Sequence, residues 1–152
     1  MADVVYEMKI VPLEDLTGMR GTLCHGAFDV LHVGHIRHLQ AARRLGVGAL
    51  IVTVTADHFM RKGPGRPIFP AEIRAECLAA LACVHFVAIV EESTGLSAIE
   101  TIRPLFYVKG REYDGQGGIA ELERLAVEQH GGVMAYTDRW ESTTHILERL
   151  HA

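Results

Sequence analysis

The chain has little cysteine. Cys24, Cys77 and Cys83 make an odd count of three without metal-type spacing, which argues against a disulfide framework and leaves reduced, buried thiols of a cytoplasmic protein as the expectation. No apolar run approaches the roughly 18 residues that span a bilayer. The first twenty residues mix Asp3, Glu7, Lys9, Glu14 and Asp15 among apolar positions, so they lack the basic head and apolar core of a secretory signal. An excess of positive charge is missing too. Lys plus Arg is 15 against 19 Asp plus Glu, a net charge of −4, which argues against a protein held on nucleic acid or an anionic membrane by bulk charge. A small anion remains possible, since a local cluster of donors is enough. Internal repeats and low-complexity stretches are absent. What is present is 152 residues, 49% hydrophobic and 22% charged, a composition suited to one packed core.

Short apolar runs alternate with segments of helical period. The runs are Thr22 to His25, Ala49 to Thr55, Phe86 to Val90, Phe106 to Val108 and Val133 to Tyr136. The second is β-branched and apolar on both faces, as a buried parallel strand should be. Between them, Ile36, Leu39, Ala42 and Leu45 share one helical face, and so do Ile73, Cys77, Leu81 and Val84. Leu96 to Ile102 stops before Pro104, Ile119, Leu122, Ala126 and Gln129 mark one face of another helix closed by Gly131-Gly132, and a last helix runs from Thr143 to Leu150. Strand–helix alternation over five units predicts an α/β fold, a Rossmann-like, doubly wound five-stranded parallel sheet with helices on both faces. Such sheets bind ligands beyond the carboxyl ends of their strands, near the point where strand order reverses.

After the first strand comes His25-Gly26-Ala27-Phe28-Asp29-Val30-Leu31-His32-Val33-Gly34-His35, then a helix. A helix N-terminus offers free N–H groups and partial positive charge to phosphate. Gly26 and Gly34 let a ligand approach the backbone. The spacing of His32 and His35 can aim both rings at one point. Two other uses of these residues are possible: helix-start polar groups, or a zinc site drawing on His25, His32, His35 and His38. No Cys pair or carboxylate completes a tetrahedral set, so no metal site is expected.

The string Gly-x-Phe-Asp-x-x-His-x-Gly-His at Gly26 to His35 resembles the signature of the HxGH-motif nucleotidyltransferase superfamily, the cytidylyltransferase-like enzymes. The resemblance spans Thr22 to about Leu150, giving a nucleotidyltransferase domain over 21–152 and an N-terminal extension over 1–20. It implies His32, His35 and Lys62 as catalytic groups and Gly26, Ala27, Phe28, Asp29 and Gly34 as nucleotide contacts. Lys62-Gly63-Pro64-Gly65-Arg66-Pro67, then Arg74 and Leu78-Ala79-Ala80-Leu81, is most similar to the bacterial heptose-phosphate adenylyltransferases. Arg74 reads equally as a site residue or a helix-surface arginine. Val108-Lys109-Gly110-Arg111-Glu112-Tyr113 resembles the Val-Lys-Gly-Gly-Asp-Tyr of related enzymes and implies Lys109 and Glu112 as nucleotide contacts, with Arg111 and Glu112 departing from the usual Gly and Asp. Ser142-Thr143-Thr144 resembles the second signature, whose hydroxyls hold nucleotide phosphates. Where cytidylyltransferases carry an arginine five positions before that serine, this chain has Thr137, and Arg139 stands nearer. Trp140 reads as core.

No Ser/His/Asp or Cys/His set argues for a covalent intermediate. The expected chemistry is direct transfer of a nucleoside monophosphate from ATP or CTP to a phosphorylated sugar or polyol, with pyrophosphate leaving. A heptose phosphate is the first candidate acceptor; glycerol 3-phosphate with CTP is the alternative, and a nucleotide-binding sensor the non-enzyme one. Mg²⁺ is expected through the substrate phosphates, and a homo-oligomer, commonly a dimer, is expected by analogy. Partners in the form of nucleic acid or membrane are not.

Overall fold

The computed structural model describes residues 7–60, 62–138 and 148–152. Strands β1 (Thr22–Gly26), β2 (Leu50–Thr55), β3 (Phe86–Val90), β4 (Phe106–Gly110) and β5 (Val133–Thr137) form one sheet in the order β3-β2-β1-β4-β5. Every adjacent pair is parallel. The helices among the strands are α1 (Val33–Leu45), α2 (Ala71–Ala79), α3 (Leu96–Ile102) and α4 (Ile119–Gln129). This is the doubly wound sheet that the alternation predicts. The helix expected from Thr143 falls mostly outside the described residues.

The strands present alternate residues to two cores. Cys24, Val52, Val87 and Val108 pack with Leu39 and Ala42 of α1 and Ala75 and Leu78 of α2. Leu23, Ile51, Ala88 and Tyr107 pack on the other face with Ala98, Ile99 and Ile102 of α3 and Val127 of α4. All six residues of β2 are buried, which is why that run reads as continuously apolar. Leu16 joins the second core, and the Val11 N–H donates to the Val87 carbonyl at 2.9 Å. The segment from residue 7 onward is thus packed against the β3 side of the sheet. Gly21 takes φ +65°, where an added Cβ would lie 2.7 Å from the Ala49 carbonyl oxygen, so this tight entry to β1 requires glycine.

Two helices are turned about relative to the sequence pattern. In α2 the outer side carries Ile73 and Cys77, and the buried side carries Ala71, Ala75, Leu78 and Arg74. The helix also ends at Ala79, before Leu81 and Val84. In α4, Ile119, Leu122 and Gln129 are exposed and of the expected face only Ala126 is buried, while Glu123 is 1% exposed. Leu45 at the end of α1 is exposed as well. Of the thiols, only Cys24 is fully buried and Cys77 is exposed. No helix among the described residues is long and apolar enough to cross a membrane.

The strand order reverses between β1 and β4, and the register there opens a crevice. β1 pairs with β2 over five residues, Thr22 to Gly26. With β4 it pairs only at Thr22↔Phe106 and Leu23↔Tyr107. Beyond that point the carboxyl-terminal ends of β1 and β4 part, and the residues that follow line the gap.

Candidate functional site

A cavity of about 620 Å³ occupies this gap, large enough for a nucleotide-sized ligand. Each strand end contributes to it: His25 and Gly26 from β1, Thr55 from β2, Ser93 just past β3, Lys109 and Gly110 from β4, Thr137 from β5. The start of α1 adds His32, Gly34 and His35, and the loop after β2 adds Lys62. Gly26, Ala27, Phe28 and Glu112 line it as well.

His32 and His35 form the N-terminal cap of α1. His32 is the N-cap residue, and its Nδ1 accepts the Gly34 N–H at 3.0 Å. Three residues on, the His35 Nδ1 accepts the His32 N–H at 3.2 Å. This is the reciprocal capping box usually built from Ser or Thr with Glu. The accepting nitrogen carries no hydrogen, so each neutral ring holds its proton on Nε2 and can donate from that edge. The ring centroids are 3.8 Å apart. Two full charges at that spacing would repel by about 4 kcal/mol at an effective dielectric of 20. Burial first, then the positive charges of His32, Lys62 and His38, push the His35 pKa down to about 3. The ring is therefore a neutral donor at pH 7.

Phe28 sits in the left-handed region at φ +52°, an uncommon conformation for a bulky residue. Its ring packs against Gly26, where a Cβ would be 3.1 Å away, and edge-on to His35 at 5.3 Å. Phe28 is 6% exposed, so it supports His35 as well as lining the cavity. His38, three residues beyond His35 on α1, continues the stripe and bonds the Thr137 hydroxyl through Nδ1 at 2.6 Å. Burial pushes its pKa down to about 4, against the raising effect of Glu112. His25 bonds Thr53 at 3.0 Å and Thr55 at 3.3 Å, and burial holds its pKa below the ordinary value.

Lys62 is a cation of the loop after β2. Burial, and then Arg66, lower its pKa, with Asp29 opposing them. Lys109 is not a free cation. Its Nζ is 2.5 Å from a carboxylate oxygen of buried Glu123, and it lies 4.6 Å from the Tyr113 ring centroid. Glu123 also accepts the Gly95 N–H at 2.8 Å. A Cβ at Gly95 would lie 2.5 Å from the Tyr107 hydroxyl, so glycine is required for this close packing.

Two residues expected at the site lie behind it. The Asp29 side chain is fully buried and engaged with Arg66, Ile68 and Phe69. Arg74 is neither a surface residue nor a cavity residue. It is 1% exposed and donates to the carbonyls of Phe69 (2.9 Å) and Ala27 (2.7 Å) and to Asp57 (2.8 Å). Arg139, Ser142, Thr143, Thr144 and Trp140 lie outside the described residues. His25, Thr55, Ser93, Tyr113, Glu123 and Thr137 line the cavity without having been expected as ligand contacts. The strand-end rule points to His25, Thr55, Ser93 and Thr137; nothing in the local pattern points to Glu123. Among the described residues no three His, Cys, Asp or Glu side chains group as a metal site.

The comparisons with known proteins agree with this architecture. The bifunctional protein HldE of Geobacter sulfurreducens is 40% identical over 93% of this chain, and that of Syntrophotalea carbinolica is 38% identical over 93%. The chain spans 29% of the length of each. Among solved structures, a lipopolysaccharide core biosynthesis protein from Thermoplasma volcanium superposes with a TM-score of 0.64 at 25% identity, covering 79% of this chain and 97% of that one. Pantothenate synthetase from Thermus thermophilus shares the fold at 15% identity and a TM-score of 0.50, over 86% of this chain and 61% of its own. Residues 23–149 match the cytidylyltransferase-like family, and the chain belongs to that family.

Proposed function

We propose that this chain is a nucleotidyltransferase domain that moves AMP from ATP to the phosphate of a sugar phosphate of the heptose class. The observation that carries the reading is the meeting of His32, His35 and Lys62 on one cavity at the switch point. The similarity of the Lys62-to-Pro67 loop to heptose-phosphate adenylyltransferases and the identity with the HldE proteins support the substrate class.

An acceptor phosphate oxygen attacks the α-phosphorus in line. The new O–P bond forms as the bond to the β-phosphate oxygen breaks, and pyrophosphate leaves. Such catalysis rests on positioning and on charge stabilisation. The Nε2–H groups of His32 and His35 donate to phosphate oxygens, and Lys62 neutralises charge on the bridging and leaving oxygens. The acceptor phosphate is ionised near neutral pH and needs no general base. Among the described residues no three His, Cys, Asp or Glu side chains group as a metal site, so Mg²⁺ would be held through the nucleotide phosphates, where it would supply further charge neutralisation.

The test is pyrophosphate release from ATP and CTP with heptose, hexose and glycerol phosphates. ATP with a heptose phosphate is expected to be fastest. A faster reaction of CTP with glycerol 3-phosphate would reassign the substrates. Nucleotide binding without release from any pair would leave a sensor.

A further inference from the structure

Lys62 is carried on an arch that leaves β2 at Thr55 and reaches α2 at Ala71. Next to it, Gly63 and Gly65 take positive φ of 95° and 75°, with open space around both. The arch is pinned at its base, where Asp57 Oδ1 accepts the Ala71 N–H at 2.9 Å, and again beyond Gly65, at residues 66–69. There Arg66 Nε donates to Asp29 Oδ2 at 2.9 Å, the Ile68 N–H to the same oxygen at 2.7 Å, and the Phe69 N–H to Oδ1 at 3.0 Å. The Arg66 guanidinium also donates to the Asp29 carbonyl. The Asp29 side chain has no exposed surface.

These contacts are one-sided. Every donor comes from the foot of the lysine arch, and the acceptor lies three residues before His32 on the loop that leads into α1, where both histidines stand. We infer that Asp29 and Arg66 form a latch that sets Lys62 at its working distance from the triphosphate bound by His32 and His35. They are positioning residues for the transfer step, and the inference rests on the role given to Lys62 above. Lys62 and Arg66 are four positions apart, a reach of at most about 14 Å, so a loosened foot lets the ammonium drift by ångströms. A misplacement of about 1 Å can cost on the order of 10²-fold in rate. The charges run the same way: Asp29 opposes the effect of Arg66 and Arg74 on Lys62, and Asp29→Asn removes that opposition.

A double-mutant cycle tests the latch. Asp29→Asn, Lys62→Ala and the double variant are compared in kcat and in KM for ATP, with trypsin cleavage at Lys62–Gly63 measured well below the unfolding temperature. Asp29→Asn is expected to lower kcat by about 10-fold or more, to raise KM for ATP far less, and to speed cleavage at least tenfold. In the Lys62→Ala background the same substitution is expected to cost less than about twofold, because its effect runs through the lysine. An equal loss in both backgrounds, or unchanged cleavage, would overturn the latch. Arg66→Lys keeps the charge but not the two-pronged contact; it takes the place of Asp29→Asn in the cycle if that variant does not fold. Faster cleavage in a protein that turns over no nucleotide would uphold the latch and sink the proposed function.

Discussion

Each ring of His32 and His35 uses its two nitrogens differently. Nδ1 completes the cap of α1, so each ring is oriented by the backbone it stabilises, and both residues line the cavity. The helix-start use of these residues and their proposed use on phosphate are therefore compatible in one arrangement. Replacing His35 by Ala, or Lys62 by Ala, removes one preorganised donor and is expected to lower turnover by about 10²-fold or more with the fold intact, as for loss of an oxyanion donor. Pyrophosphate release together with circular dichroism checks both halves of that statement. Acid should act through the same face. His35 and His38 titrate near 3 and 4 in the folded chain, against 6.5 ordinarily. Between those values the unfolded chain binds more protons than the folded one, so the stability gained from neutral, buried rings is complete above about pH 6.5 and is lost as pH falls toward 3 to 4. The slope is at most about 1.4 kcal/mol per pH unit for each histidine. Urea midpoints should fall between pH 7.5 and pH 5, and His38→Gln should make the fall shallower; an equally steep fall in that variant would remove His38 from the account.

The helices show where sequence pattern stops being informative. Periodicity marks β3 at Phe86 to Val90 and α3 at Leu96 to Ile102, because burial on a sheet imposes the apolar spacing and Pro104 ends the helix. The same reasoning turns α2 and α4 the wrong way round. It assumes that charges seek solvent, whereas the inner face of α2 holds Arg74 and that of α4 holds Glu123. Each is tolerated because a distant element supplies its partner: Asp57 and the Ala27 carbonyl for Arg74, Lys109 and the Gly95 N–H for Glu123. A helical wheel contains none of those partners. It follows likewise that the histidine motif was readable as a site, while Asp29 within it was not readable as a contact to the arch. Removing one member of a buried pair strands the other. Glu123→Ala is expected to cost about 3–5 kcal/mol by leaving the Lys109 ammonium, 14% exposed, without its counterion. The pair of substitutions Lys109→Met and Glu123→Leu should cost less than Glu123→Ala alone. Urea denaturation of the three variants decides it, and a double variant as unstable as the sum of its parts would mean that packing, not charge, dominates there.

At the scale of the whole molecule, the site is where the two halves of the sheet part. β1 and β4 share only two paired positions, and the cavity beyond them is walled by all five strand ends and by the start of α1. A ligand filling it bridges elements whose carboxyl-terminal ends are not otherwise joined, so binding should raise the stability of the entire fold. A nucleotide present at a hundred times its dissociation constant contributes about 2.7 kcal/mol by mass action. For a chain of this size that is a rise in Tm of roughly 5–10 °C. ATP with Mg²⁺ is expected to give the largest rise among ATP, CTP, GTP and UTP, and pyrophosphate alone a smaller one through the histidine and lysine contacts. The ATP rise should shrink in Lys62→Ala and in His35→Ala by comparable amounts, since both act on the phosphates, and should be nearly unchanged in Cys77→Ser, a surface substitution on the outer face of α2. If CTP gives the larger rise, the donor is a cytidine nucleotide and the acceptor must be sought among the alcohol phosphates. If no nucleoside triphosphate raises Tm at all, the cavity is not a nucleotide site, whatever its resemblance to one.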